Sequence, residues 1–378
     1  MNGQRLASIV VTVLVGLGST FIAGLVAQEG SARTTDGWRQ AARGYTMAFP
    51  RDHGSHPDYR IEWWYYTGNL ASADGRRYGY QVTFFRIGVD PAPENPSAWA
   101  VRDLFMAHLA VTDVDNGRQW VAERLDRGGI GWAGARTDTL DVWNGDWRAE
   151  LVGERHRLVA FDREFGVELA LDPGKPPVLH GEAGLSQKGE TPGNASHYYS
   201  LTRMPTTGRL RVGDDEIAVT GTSWMDHEFG TSFLERDQVG WDWFSLQLDD
   251  GSDVMLFQLR RDDGRAARLA GTWVAPDGTA RVIEPGDIEL GAGRRWTSPT
   301  SGAAYPVEWR LALGEPRAVL DVHPVLDAQE LHTDESTGVT YWEGAVEISG
   351  EVEGRPVSGL GYLEMTGYVG RPMSEFFR

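Results

Sequence analysis

The sequence predicts a mainly β protein built as two tandem β domains. From about Tyr45 onward, short apolar or aromatic runs alternate with Gly, Pro, Asp and Asn, the punctuation of strands and tight turns. No stretch of fifteen residues keeps a capped helical period. One hairpin plan also occurs twice, as tandem domains of similar architecture would show.

The 378 residues suffice for two ordinary hydrophobic cores. With 15 Trp among them, a core or a cavity must take up many large flat rings. The formal net charge of −18 argues against nucleic acid or an anionic membrane surface as partner. Cysteine is absent, which removes disulfides, thiolate metal sites and cysteine nucleophiles.

Met1 to Arg5 carries positive charge, and Leu6 to Ala27 is apolar with no charged residue. Residues 1–32 therefore read as an export signal or an uncleaved membrane anchor, and the folded part is expected in the periplasm or outside the cell. An N-terminal domain is expected over 45–230 and a C-terminal domain over 231–378.

Ile61 to Leu70 is rich in strand-favouring side chains, Asp74-Gly75 turns it, and Tyr78 to Ile87 returns. Similar pairs lie at Leu140 to Leu151 and Arg157 to Leu171, and the best helix candidate, Pro96 to Leu109, is short and aromatic. Asp172 to Asn194, with four prolines and five glycines, reads as a long loop at a cavity mouth. The repeated plan is Gly240 to Leu248, Asp250-Gly251, then a strand ending in Arg260, matching the first hairpin and its Arg86. Asn194-Ala195-Ser196 fits the N-glycosylation pattern, a short match that arises often by chance.

Several familiar motifs are incomplete. Gly129 to Gly134 fits GxGxxG but opens no helix. Gly221-Thr222-Ser223-Trp224 starts a nucleophile elbow, yet Met225 stands where the closing glycine belongs. His227-Glu228 begins HExxH, but Thr231 replaces the second histidine. Serine hydrolase, zinc protease and nicotinamide enzyme are thereby set aside.

The densest chemistry is Ser223-Trp224-Met225-Asp226-His227-Glu228-Phe229-Gly230. On an extended strand, Trp224, Asp226 and Glu228 share one face while Met225 and His227 take the other. A carboxyl group desolvated beside an indole is kept protonated, which makes Asp226 a candidate acid. Upstream, His197 and Tyr199 share a face of their own strand and are expected to converge with Trp224 and Asp226 inside a β barrel, around an apolar cavity near the domain junction. The blander reading pairs Asp226 with Arg203 or Arg260 and leaves His197, Trp63, Trp64, Trp241 and Trp243 in the core. His53 and His56 form a candidate metal pair that no neighbour in sequence completes.

Glu62 to Gly68, Trp224 to Gly230, Gly240-Trp241-Asp242-Trp243, Tyr341 to Gly344 and Gly361 to Tyr368 together resemble the AttH-like family, which includes bacterial carotenoid 1,2-hydratases. Members in this form are often described only as predicted secreted hydrolases. The resemblance implies two lipocalin-like β barrels and a cofactor-independent hydratase that adds water across a double bond of an acyclic carotenoid. Fungal Diels-Alderases look like distant relatives. The hydratases carry a His-x-Trp pair and, 27 residues after the histidine, Tyr-x-Asp; His197 and Asp226 match in type and spacing, whereas Tyr199 and Trp224 exchange the aromatic types.

The expected enzyme thus uses Asp226 as acid and His197 as its partner, with Tyr199 and Trp224 stabilising a developing cation. Trp64, Tyr66, Glu228, Trp241 and Trp243 are the expected substrate contacts. No metal or cofactor is expected, and the partner is a hydrophobic isoprenoid or lipid-like molecule. Two other readings stand beside it: a non-catalytic periplasmic carrier of a hydrophobic ligand, serving a transporter, and a pericyclase-like enzyme that folds its ligand.

Overall fold

The first hairpin forms as expected, because large side chains alternate along both of its strands, β1 (Ile61–Ser72) and β2 (Arg77–Gly88). This is a computed structural model describing residues 33–97 and 99–376; the expected signal or anchor, residues 1–32, lies outside the described residues. The chain continues antiparallel through β3 (Asp103–Asp113) and β4 (Arg118–Arg127). The best helix candidate, Pro96 to Leu109, forms no helix among its described residues, and its second half lies in β3. Phe105, Ala107, Leu109 and Val111 of β3 alternate into the core, a period of two that outweighs the short helical pattern.

Five short strands follow: β5 (Ala133–Ala135), β6 (Asp141–Asn144), β7 (Trp147–Val152), β8 (Arg155–Phe161) and β9 (Phe165–Leu171). The 172–194 segment is not all loop, since β10 (Val178–Leu179) and β11 (Leu185–Gln187) both pair with β12 (Ala195–Val212). The sheet is completed by β13 (Asp215–Ser232), which carries the central motif and sits between β1 and β12.

The resulting 13-stranded sheet runs β4-β3-β2-β1-β13-β12-β9-β8-β7-β6-β5. Side chains rather than a backbone ladder bring its ends together. Arg124 on β4 donates to the Asn144 carbonyl at 2.9 Å and lies 4.3 Å over the Trp147 ring, and Asn144 Nδ2 donates to the Phe105 carbonyl at 3.0 Å. The interior of this nearly closed barrel is filled by Trp64, Tyr66, Tyr80, Phe84, Leu109 and Met225, among others.

A second sheet takes the rest of the chain: β14 (Gln238–Leu248), β15 (Asp253–Arg261), β16 (Ala266–Val274), β17 (Ala280–Ile283) and β18 (Ile288–Ala292). After a separate two-stranded ribbon, β19 (Arg295–Thr297) and β20 (Ala304–Pro306), come β21 (Trp309–Leu313), β22 (Ala318–Pro324), β23 (Glu330–Thr333), β24 (Val339–Val352) and β25 (Arg355–Met365). Its order is β17-β16-β15-β14-β25-β24-β22-β21-β18, with β23 on β24, around a core that includes Phe244, Leu256, Trp309, Leu320 and Trp342. The two matching hairpins, β1–β2 and β14–β15, each hold a buried acid–arginine pair: Arg86 Nε lies 3.0 Å from Glu62 Oε2, and Arg260 Nε lies 2.9 Å from Asp242 Oδ2.

The outer faces of the two sheets meet through a third apolar cluster of Tyr65, Tyr198, Trp224, Trp243, Met255, Phe257 and Tyr362. Their approach requires glycine at position 79, where a Cβ would lie 2.8 Å from Tyr362 Oη and 2.9 Å from Ala345 Cβ. Asp253 ties the seam, accepting from Lys175 Nζ at 2.7 Å and from Arg203 Nη2 at 2.6 Å. Asn194 of the glycosylation pattern is buried and donates Nδ2 to Ser232 Oγ at 3.0 Å, so its amide is not presented for modification.

Candidate active site between the two sheets

A cavity opens where the outer faces meet. Its volume is about 110 Å³ measured to water-molecule centres. One water needs roughly 10–15 Å³ on that measure, so the space suits an organic molecule. Trp63, Tyr65, Phe85, Tyr198, Trp241, Trp243 and Phe257 give it aromatic walls. Asp226, Glu228, Glu343 and Glu364 supply four carboxyl groups, and Lys188 one cation.

Strand alternation puts Asp226 there. Trp224, Asp226 and Glu228 face the seam, whereas Met225 and His227 point into the first barrel. Asp226 is 3% exposed and accepts from three donors: Trp224 Nε1 at 2.6 Å to Oδ1, Tyr198 Oη at 2.7 Å to Oδ2, and Ser200 Oγ to Oδ1. Trp243 Nε1 donates in turn to Tyr198 Oη at 3.0 Å. Burial is the largest influence on this carboxyl and pushes it up; the three donors pull it back, the Glu228 charge adds to the rise, and the net is about 7. Arg203 and Arg260, its candidate structural partners, are bound to Asp253 and Asp242 instead, and among the described residues Asp226 forms no ion pair.

The histidine joined to Asp226 is His180. Its Nε2 lies 2.6 Å from Ser200 Oγ and its Nδ1 2.9 Å from Thr272 Oγ1. With Asp226 ionised, the Ser200 hydroxyl donates a hydrogen bond to Asp226 and accepts one from His180 Nε2–H, so His180 Nδ1 accepts from Thr272. Burial, helped by the Lys188 charge, pushes His180 down to about 3 and keeps it neutral.

His197 and Tyr199 do not join Asp226. The ladder sets His197 opposite Phe229, Tyr199 opposite His227, and Ser200 opposite Asp226. Directly opposed residues share a face, so the expected convergence inside one barrel is off by one residue. His197 packs against the rings of Tyr45, Tyr59 and Phe229, and its buried Nε2 has no hydrogen-bond partner among the described residues. Tyr199 Oη lies 2.6 Å from His53 Nδ1 in the first barrel.

The expected substrate contacts divide in the same way. Glu228, Trp241 and Trp243 line the cavity. Trp64 and Tyr66 do not; they are interior to the first barrel, where Trp64 Nε1 donates to the His53 carbonyl at 2.9 Å and Tyr66 Oη meets His156 Nδ1 at 3.0 Å. Their sequence neighbours Trp63 and Tyr65 take the cavity face.

Two acids absent from the expected site are present. Tyr65 Oη donates to Glu343 Oε1 at 2.6 Å, and Trp241 Nε1 donates to Glu364 Oε2 at 2.9 Å. Burial, and next the Glu364 charge, hold Glu343 well above the usual carboxyl range; burial pushes Glu364 up to about 7. Glu228 differs, since Lys188 Nζ lies 2.6 Å from its Oε1 and Ser196 donates to the same oxygen. Both new acids lie in late aromatic motifs, Tyr341 to Gly344 and Gly361 to Tyr368, and that was the one signal for them.

On the opposite face of β1 and β13 lies a second polar cluster. Nitrogen and oxygen atoms of His56, Glu62 and His227 come within 4.8 Å of one another, a set able to hold a metal ion.

The AttH-like family matches residues 40–368. The chain belongs to the AttH-like family. It is similar to the crystal structure of a protein described as AttH from Nitrosomonas europaea, at 36% identity over 87% of this chain and 99% of that one, with a TM-score of 0.79. Kievitone hydratase from Nectria haematococca is similar at 17% identity, 88% and 97% coverage and a TM-score of 0.68. CghA, solved with Sch210972, is similar at 15% identity, 83% and 89% coverage and a TM-score of 0.51. At those two identities the likeness is one of fold. No curated protein matches the sequence. Within the AttH-like architecture, the seam between the sheets is where this chain gathers its acids and rings.

Proposed function

We propose that this AttH-like protein is an exported hydratase that adds water across a carbon–carbon double bond of a largely apolar, isoprenoid-type molecule. The observation that carries the reading is Asp226: a carboxyl with three hydrogen-bond donors and, among the described residues, no ion pair, in a cavity walled by aromatic rings. Burial favours the neutral acid, and the donors stabilise the carboxylate left after proton transfer, which poises the group near neutrality.

In this reading Asp226 gives its proton to one alkene carbon, and the cation forming on the other carbon is stabilised by the face of Trp243, since Lys188 Nζ already lies 5.2 Å over the Tyr198 ring and 4.4 Å over the Phe257 ring. A water oxygen bonds to that carbon and its surplus proton passes to a carboxylate. Glu228, two residues along the strand on the same face and lining the same cavity, is the carboxylate assigned to take it. Proton return to Asp226 through solvent completes the cycle, and the sum is substrate plus one water. Export rests on the apolar run from Leu6 to Ala27.

Incubation with an acyclic isoprenoid bearing a terminal double bond, followed by mass spectrometry, tests the reading. It predicts a product heavier by one water, reduced by about 100-fold or more in Asp226→Asn, while the variant still retains the ligand. A product of unchanged mass points to a pericyclase-like reaction, and retention without any product points to a carrier; either result ends the hydratase reading.

A further inference from the structure

We propose that His56, Glu62 and His227 bind one divalent transition-metal ion of the zinc class, at a site separate from the cavity. Glu62 Oε1 lies 2.7 Å from His56 Nδ1 and 3.0 Å from His227 Nε2. The side chains come from the segment before β1, from β1 and from β13, on the face opposite Asp226.

The far-side nitrogen of each ring faces an acceptor of its own. His227 Nδ1 lies 3.0 Å from the Asp52 backbone carbonyl, which can only accept. His56 Nε2 lies 3.0 Å from Asp52 Oδ1, an oxygen that also accepts from Tyr45 Oη at 2.7 Å and Arg51 Nε at 3.0 Å. With both rings donating outward, the lone pairs of His56 Nδ1, His227 Nε2 and Glu62 Oε1 converge on one point, which either a cation or protons on the inner ring nitrogens would occupy.

The outward arrangement is that of metal-ligating histidines, whose second nitrogen donates to a carboxylate or a backbone carbonyl. Ring planes are fixed too: His56 stacks on Phe229 at 3.5 Å and 8°, and His227 on Trp64 at 4.8 Å and 24°. Arg86 Nε at 3.0 Å and Ser55 Oγ at 2.7 Å hold the other oxygen of Glu62. Two imidazoles and a carboxylate leave a fourth position open, the donor set of zinc and its first-row neighbours. His53, the other half of the pair suggested by sequence, is not one of the three residues whose ligand atoms converge, and its Nδ1 is bound to Tyr199. His56 keeps 11% of its side chain exposed, which gives an ion a way in.

The test is calorimetric titration of the tag-free full chain, stripped with chelator, using zinc chloride, with cobalt loading followed by visible spectroscopy. We expect one equivalent bound, a cobalt spectrum of low coordination number, and affinity weakened about 100-fold or more in His56→Gln and in Glu62→Gln, each checked for folding by circular dichroism. His323→Gln, at an exposed histidine elsewhere, is expected to leave binding unchanged. No binding by the stripped wild-type chain would show that protons, not an ion, satisfy the cluster. Equal binding by wild type and His56→Gln would place the ion at another site, and either result overturns the proposal.

Discussion

Asp226 and His227 are consecutive residues on β13 whose side chains enter two separate polar systems. Asp226 faces the seam and is bound by Trp224, Tyr198 and Ser200. His227 faces the first barrel and is bound by Glu62 and the Asp52 carbonyl. A two-residue alternation thus builds an acid site and a candidate metal site back to back, and substitutions in one are expected to leave the chemistry of the other intact.

Stability should fall with rising pH because of the cavity acids. Asp226 and Glu364 are held near 7 in the fold, against about 4 for an unfolded chain. Between those values the native state keeps protons that the unfolded state has lost, so their contribution is fully present below about pH 4 and is lost as pH rises to about 7. Each is expected to contribute on the order of a few kcal/mol to that fall. Urea unfolding from pH 4 to 8 should show a shallower fall for Asp226→Asn than for wild type; parallel curves would refute the assignment.

Tyr198→Phe removes the hydroxyl that joins Trp243 to Asp226. It leaves the Trp243 indole N–H without this acceptor and should cost about 1–3 kcal/mol in urea unfolding. A donor that favours the carboxylate is also lost, so the pKa of Asp226 should rise and the alkaline fall in turnover should move to higher pH. A fall that stays in place would separate Tyr198 from the acid.

His197 and His180 make opposite predictions. His197→Phe should leave turnover within about twofold and stability within about 1 kcal/mol, since its Nε2 is already unpaired among the described residues and its ring packs among other rings. His180→Phe breaks the bond to Ser200 and should lower turnover and shift its pH profile. Steady-state kinetics of the two variants decides between them, and a large loss with His197→Phe alone would restore the expectation drawn from the resemblance.

What the sequence disclosed follows from which signals are local. Alternation within one strand correctly assigned Trp224, Asp226 and Glu228 to one face, because side-chain direction on a strand depends only on the chain itself. Pairing between strands is not local. His197 and Tyr199 were expected beside Asp226, whereas Tyr198 and Ser200 stand there, and Trp63 and Tyr65 line the cavity in place of Trp64 and Tyr66. Each error is a single residue of register, which exchanges the two faces of a sheet. His180 lies in a stretch of prolines and glycines with no period to read, and Glu343 and Glu364 arrive from strands of the second sheet. The hairpins themselves were legible because Asp-Gly turns and alternating aromatics specify them within about twenty residues.

The most direct test of the acid site is the titration of Asp226 itself. Infrared difference spectra of wild type minus Asp226→Asn, taken from pH 4 to 9, should show a protonated carboxyl band that disappears with a midpoint near 7. A carboxylate already formed at pH 5 would contradict the account.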